Sequence, residues 1–108
     1  MNIIPNHELI KKLDICTAAC NFCASACLKE DDVKMMAQCI SLDMDCAEVC
    51  RTTSILLARD SMHGKHLLKE CIELCEACAA ECGKHKHDHC EACAKACREC
   101  AEACRQAA

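Results

Sequence analysis

Aromatic residues are almost absent from this sequence, and glycine and proline are scarce. Phe22 is the one aromatic residue among 108, with no Trp and no Tyr, and there are 2 Gly and 1 Pro. A core without aromatic rings has to be built from Leu, Ile, Ala, Met and Cys, and this composition favours long helices over strands. No segment approaches the roughly 18 apolar residues of a membrane span, so we expect no membrane association.

A signal peptide is also missing from the sequence as it stands. The N-terminus has no basic segment, no apolar run of about 7–15 residues and no small-residue cleavage site. We therefore expect a cytoplasmic protein whose thiols are reduced. The formal net charge of −4 argues against a nucleic-acid-binding protein.

Cysteine, by contrast, makes up 16 of the 108 residues. Cys90, Cys93, Cys97, Cys100 and Cys104 are separated by steps of 3, 4, 3 and 4. On a helix that turns about 100° per residue, these five thiols fall on one face, within an arc of roughly 80°. A stripe of this kind can be a core, a disulfide framework or a metal store.

The spacing of apolar residues and cysteines predicts four helices, at about 7–29, 33–59, 62–82 and 89–105. Asp31 and Asp32 can cap the second helix, and Ser61 can cap the third. Tight turns between successive helices predict antiparallel packing. We therefore expect residues 1–108 to form one all-α domain, an antiparallel up-down-up-down four-helix bundle with a cysteine-lined core.

An internal duplication supports two helical hairpins. A shift of 55 residues places the four cysteines of the first helix on those of the third, and a shift of 54 places three cysteines of the second on three of the fourth. Met36 and Asp43 of the second helix then align with Cys90 and Cys97. Two hairpins with the same sulfur layout predict a four-helix bundle.

Geometry and charge separate the uses that sixteen thiols can have. Neighbours at i, i+3 or i, i+4 on a helix match disulfide geometry poorly, although bridges between helices leave a disulfide-stapled structural bundle as an alternative. A zinc store is a second alternative, but about four four-thiolate zinc sites would each bury a net charge of −2.

Cu⁺ fits the thiols better, because it is soft and also accepts two ligands. A Cu⁺ ion that replaces one thiol proton leaves the net charge of the core unchanged. If each thiolate bridges two ions, the capacity approaches one copper per cysteine, on the order of fifteen ions per chain. The sequence therefore favours the sequestration of many Cu(I) ions.

The thiol ends of the four helices meet at one end of the predicted bundle, which we call the mouth (Cys27, Cys39, Cys82 and Cys90). Weaker candidate ligands for capturing and handing on copper lie at this end: Met35, Met36, His85, His87 and His89. Asp43 is a candidate oxygen ligand or an acceptor of hydrogen bonds from thiols, since a buried carboxylate needs such a partner.

A second apolar stripe on the first helix lies beside the core stripe. It contains Ile15, Ala19, Phe22 and Ala26. An apolar stripe outside the main core indicates packing against helices of another protomer, so we expect a homo-oligomer. No Ser/His/Asp or paired-carboxylate constellation is present, and we expect no enzymatic activity.

These motifs together resemble a known family. The first and third helices carry CxxxCxxCxxxC, the fourth carries CxxCxxxCxxCxxxC, and Leu-Leu-Ala-Arg-Asp-Ser follows the second. The sequence is similar to the bacterial copper storage proteins, and looks most like their cytosolic branch. The resemblance implies a four-helix bundle that stores many Cu(I) ions, copper uptake at one end and a homotetramer, and copper chaperones are candidate partners.

The resemblance also implies that the cysteines are the metal ligands. They are Cys16, Cys20, Cys23, Cys27, Cys39, Cys46, Cys50, Cys71, Cys75, Cys78, Cys82, Cys90, Cys93, Cys97, Cys100 and Cys104. Asp43 stands where the duplicated pattern has a cysteine, so the arrangement of metal in the middle of the core stays open.

Overall fold

Helices make up most of residues 3–108, the part of the chain that the computed structural model describes, and no strand occurs there. The helices are α1 His7–Cys27, α2 Ala37–Ala58, α3 Met62–His66, α4 Leu68–Cys82 and α5 Asp88–Ala107, with a 3-10 turn at Val33–Met36 before α2. The predicted domain also includes Met1 and Asn2, which lie outside the described residues.

The four long helices form a closed ring around one core. Helices α1 and α4 each pack against both α2 and α5. Because the connections are short, consecutive long helices run antiparallel. The bundle measures 45 × 25 × 18 Å, and the predicted all-α up-down-up-down fold with a cysteine-lined core is confirmed.

The segment predicted as one helix over 62–82 is interrupted at Leu67 in the structure. The short helix α3 begins as predicted, because the backbone N–H of His63 donates to Ser61 Oγ at 3.2 Å. Gly64 is buried against α2, and a Cβ atom added to it would lie 2.9 Å from Leu57 Cδ2. This close approach explains why α3 turns against α2 before α4 starts at Leu68.

The second long helix starts later than the predicted residue 33. Residues Val33–Met36 form a 3-10 turn, and the α-helix begins at Ala37. Asp32 makes no side-chain cap hydrogen bond. Its carboxylate contacts His87 Nε2 at 3.2 Å instead, so this residue ties the turn before α2 to the residue preceding α5.

The core changes from aliphatic to sulfur along its length. Leu9, Leu13, Leu57 and Leu68 are buried at one end. Their burial stabilises the bundle by roughly 1.5–3 kcal/mol per side chain. The rest of the core contains the cysteines, so the aliphatic end closes the bundle and leaves the sulfur end as the mouth.

Candidate metal centre

All sixteen cysteines lie inside the ring of helices. Each is 0% exposed and each is a free thiol. Burial follows from their steps of three, four or seven residues, which keep every Sγ on the inward face of its helix. The sixteen side chains, which we call the thiol core, therefore form one continuous interior rather than a set of surface motifs.

Close Sγ–Sγ contacts join different helices in the inner part of the thiol core. Cys97 of α5 lies 3.7 Å from Cys16 and 3.6 Å from Cys20 of α1. Cys75 of α4 lies 3.6 Å from Cys46 of α2. The Cys16 and Cys75 sulfurs are 3.9 Å apart, so all four long helices contribute sulfur to one connected group.

Asp43 lies in the middle of the thiol core and is 0% exposed. Its Oδ1 accepts hydrogen bonds from Cys78 at 3.1 Å, Cys93 at 3.2 Å and Cys82 at 3.4 Å. Burial first, and then the negative charge that the Cys93 thiol can carry, raise the pKa of Asp43 to about 10. The carboxyl group is therefore neutral at pH 7, and the metal-free core carries no isolated charge at this position.

At the mouth, to which the structure adds Cys23, thiols and an imidazole come together. The sulfurs of Cys23, Cys27 and Cys90 lie 3.8–3.9 Å from one another. His89 Nδ1 lies 3.5 Å from Cys23, 3.6 Å from Cys90 and 3.9 Å from Cys27. Burial raises the pKa of Cys27 to about 11, so this thiol is protonated until a metal ion replaces the proton.

The structure separates the other predicted mouth residues into different environments. Met36 is buried with the thiols, whereas Met35 is 72% exposed. His85 Nε2 contacts Glu81 at 3.1 Å, and His87 contacts the carboxylates of Glu30 and Asp32. Among the described residues 3–108, His89 is the histidine whose ring nitrogen contacts thiols.

Groups of four potential ligand atoms follow one another through the thiol core. In each group the ligand atoms all lie within 4.8 Å of one another. Five such groups are Cys16/Cys46/Cys50/Cys75, Cys16/Cys20/Cys46/Cys97, Cys20/Cys78/Cys93/Cys97, Cys23/Cys27/Cys39/Cys90 and Cys23/Cys39/Asp43/Cys82. The first three groups are linked by shared cysteines, and the last two share Cys23 and Cys39, so a thiolate can bridge metal ions within each set and soft monovalent ions can occupy adjacent positions.

Sequence reasoning missed two residues that contact this centre. Thr53 Oγ1 lies 3.0 Å from Cys71 Sγ, and Glu30 Oε2 lies 2.7 Å from His89 Nε2. Thr53 continues the core stripe of α2 after Cys50, three residues on, so helical spacing could have found it. Glu30 lies in a turn, and no spacing rule indicates its contact.

Fold and site together define a class of protein, a four-helix bundle whose interior is a store of soft metal ligands. The chain belongs to the copper storage protein family, because the family model described as "Copper storage protein" matches residues 4–108. This family is one of storage rather than catalysis, so the prediction of a non-enzymatic protein is confirmed. Between residues 3 and 108, none of the helices combines the length and apolarity needed to cross a membrane.

Individual relatives cover most of the chain. The uncharacterized cysteine-rich protein YhjQ of Bacillus subtilis is 47% identical over 81 residues, which are 75% of each chain. The Cu(I)-bound copper storage protein BsCsp3 is 44% identical, with 93% of this chain and 94% of that chain covered and a TM-score of 0.89. A cytosolic copper storage protein from Streptomyces lividans, solved with five coppers, is 39% identical over 94% of this chain and 89% of its own, with a TM-score of 0.89.

Proposed function

We propose that the reduced chain stores many Cu(I) ions on the thiolates of its sixteen cysteines. The observation that carries this proposal is the series of four-ligand groups that share cysteines along the core. The Cu(I) named for BsCsp3 and the coppers named for the Streptomyces protein support the same cargo for this chain. Residues 1–108 act as one storage domain in this proposal.

Charge favours Cu(I) over zinc in this interior. In the part of the chain that the structure describes, the metal centre is lined by thiols together with Asp43, Met36, Thr53 and His89, and no Lys or Arg is buried there. Four-thiolate zinc sites would add a net charge of −2 each, and nothing buried would balance it. One Cu⁺ for each released proton keeps the core neutral, so ions can accumulate without a growing electrostatic penalty.

Copper reaches the thiol core through the mouth in this proposal. His89 contacts the mouth thiols and Met36 is buried in the same core, and both act as auxiliary ligands that bind Cu(I) more weakly than thiolates do. Met35 is 72% exposed, and the rings of His85 and His87 contact carboxylates instead of thiols, so these three residues serve as first contacts for incoming copper. Asp43 accepts hydrogen bonds from thiols in the metal-free chain and becomes an oxygen neighbour of copper as those thiols lose their protons.

We also propose that the protein is cytoplasmic and works as a homotetramer that exchanges copper with copper chaperones. The description of the Streptomyces relative as cytosolic supports the location. Ile15 and Phe22 are 54% and 67% exposed on α1, and this supports contact with another protomer. A groove that Ile15 and Ala19 form with Ala92 and Ala96 of α5 continues the apolar surface.

An anaerobic Cu(I) titration of the reduced chain against a competing chelator tests the storage function. We expect binding far beyond four equivalents per chain, on the order of fifteen. Saturation at four equivalents or fewer would overturn the proposal. A parallel titration with Zn²⁺ should reach no more than about four equivalents, and a higher zinc capacity would favour a zinc store.

A thiol count separates storage from the disulfide-stapled alternative. The protein is purified without reductant under anaerobic conditions, unfolded, and its free thiols are counted. Storage predicts close to the 16 thiols that the sequence contains. A count near zero would indicate a structural bundle held by disulfides.

A further inference from the structure

Glu30 lies in the turn that follows α1, at the edge of the mouth. Its Oε2 is 2.7 Å from His89 Nε2 and 3.3 Å from His87 Nδ1. The side chain of Glu30 is 30% exposed, whereas that of His89 is 11% exposed. The backbone N–H of Glu30 donates to the carbonyl of Cys27 at 3.2 Å, which anchors the carboxylate next to a mouth thiol.

The contact with Glu30 determines which nitrogen of His89 carries the proton and which one keeps a free lone pair. A carboxylate can only accept hydrogen bonds, so His89 Nε2 has to carry a proton. In the neutral ring Nδ1 is then unprotonated, and it lies 3.5 Å from Cys23 Sγ and 3.6 Å from Cys90 Sγ. The ring therefore presents a metal-binding lone pair to the mouth thiols.

The neighbouring imidazole holds this ring in place. His87 and His89 are stacked, with centroids 5.3 Å apart and an angle of 5° between their planes. His87 is itself held between Glu30 and Asp32, at 3.3 and 3.2 Å. His85 makes a comparable contact with Glu81 at 3.1 Å, but its ring does not contact the described thiols.

We propose that Glu30 is a positioning residue for copper uptake, which fixes His89 in the Nε2–H tautomer and aims Nδ1 at the mouth thiols. This inference rests on the proposed storage of Cu(I). Metal-binding histidines commonly donate their second N–H to a carboxylate, and loss of that partner typically costs about 10–100-fold in metal affinity or activity. Glu30 thus acts through His89 and does not itself bind copper.

The tautomer of His89 is the first readout, and it needs no metal. In ¹⁵N-histidine NMR of the reduced metal-free chain, we expect a protonated Nε2 and an unprotonated Nδ1. Glu30→Ala should produce a mixture of tautomers, and Glu30→Gln, which keeps an accepting oxygen, should restore part of the wild-type signal. A proton on Nδ1 rather than Nε2 in the neutral wild-type ring, or an unchanged tautomer in Glu30→Ala, would overturn the inference.

The rate of copper uptake is the second readout. The full chain takes Cu(I) from a preformed Cu(I)–chelator complex under anaerobic conditions, with copper at one equivalent. We expect Glu30→Ala to load about 10-fold more slowly than the wild type. The matched control is Glu48→Ala, which removes a carboxylate that pairs with Arg51 at 3.3 Å on the surface, and it should load at the wild-type rate.

A double variant shows whether Glu30 acts through His89. Glu30→Ala combined with His89→Ala should load no more slowly than His89→Ala alone, and further slowing would contradict a positioning role. If the wild type saturates at four equivalents or fewer, the storage function itself fails. If the wild type stores more copper and Glu30→Ala loads at its rate, only the role of Glu30 is overturned.

Discussion

Thr53 connects the innermost thiols to the backbone of α2. Its hydroxyl donates to the carbonyl of Val49 at 2.7 Å, so the same oxygen accepts from the Cys71 thiol at 3.0 Å. Both Thr53 and Cys71 are 0% exposed, and water therefore cannot replace either partner. Thr53 therefore lies at the inner end of the thiol core, where it accepts the hydrogen bond of Cys71, the first cysteine of α4.

We expect Thr53 and Cys71 to be energetically coupled. A double-mutant cycle of Thr53→Val and Cys71→Ala, measured by chemical unfolding of the reduced metal-free chain, should give a coupling energy of about 1 kcal/mol. The control cycle pairs Thr53→Val with Cys23→Ala at the mouth, and these changes should be additive within about 0.5 kcal/mol. Equal coupling in the two cycles would show that the hydroxyl makes no specific contact with Cys71.

Asp43 gives the stability of the metal-free chain a pH dependence of known sign. The pKa of this carboxyl is raised from 3.8 to about 10, mainly by burial, so the folded chain keeps a proton that the unfolded chain loses. Its contribution to stability is therefore complete below pH 3.8 and is lost as the pH rises towards 10. The loss amounts to at most about 1.4 kcal/mol per pH unit.

Comparison with Asp43→Asn isolates this contribution, because the amide does not titrate. The free energy of unfolding of the wild type, taken relative to Asp43→Asn, should fall as the pH is raised from 5 to 8. Urea unfolding of both reduced, metal-free proteins measures the difference, in which the titration of the thiols largely cancels. A difference that stays constant between pH 5 and 8 would mean that Asp43 is ionised in the folded chain as it is in the unfolded chain.

At the scale of the helices, Gly64 allows α3 to turn against α2. A Cβ atom at this position would lie 2.9 Å from Leu57 Cδ2 and 3.1 Å from the Leu57 backbone nitrogen. Gly64→Ala should therefore lower the free energy of unfolding by about 1–3 kcal/mol, even though alanine favours helices. Thermal or urea unfolding of the reduced chain measures the loss.

The cost of Gly64→Ala should depend on the side chain of Leu57. In a Leu57→Ala background, part of the space is free, and the same substitution should cost less. The reference is the sum of the two single changes. An additive result would place the strain in the backbone rather than in the contact between these side chains.

The sequence predicts this architecture well where spacing decides, and poorly where a tertiary contact does. Steps of three, four or seven residues identify the inward face of each long helix, so the burial of all sixteen thiols follows from the pattern alone. The break at Leu67 has neither Gly nor Pro at that position. It results instead from the packing of Gly64 on α2, a tertiary contact that spacing does not show.

The contacts at the mouth show the same limit. His89 is recognisable as a candidate ligand because it precedes Cys90 in the sequence. Its carboxylate partner Glu30 is 59 residues away and lies in a turn, where periodicity carries no information. Asp32 can be expected to cap a helix from its position, yet it contacts His87 instead, since the α-helix starts only at Ala37.

At the scale of the whole molecule, an apolar stripe along α1 stays exposed outside the core. Phe22 is 67% exposed although it is the one aromatic residue of the chain, and Ile15 is 54% exposed on the same side of α1. Among residues 3–108 the core contains no aromatic side chain, and the exposed position of Phe22 is the basis for the proposed contact with another copy of the chain.

Replacing Phe22 should therefore change assembly and leave the bundle intact. We expect Phe22→Asp to shift the protein from a tetramer to smaller species in sedimentation velocity, because burying a carboxylate in an apolar contact is unfavourable. The matched control is Met62→Asp on α3, where the side chain is 70% exposed and lies off the stripe. Met62→Asp should sediment like the wild type, and copper capacity per chain should stay the same in both variants, because each chain carries its own sixteen thiols. A wild type that sediments as a monomer would overturn the proposed tetramer. A Phe22→Asp variant that remains a tetramer would show that this part of α1 does not lie in the interface between protomers.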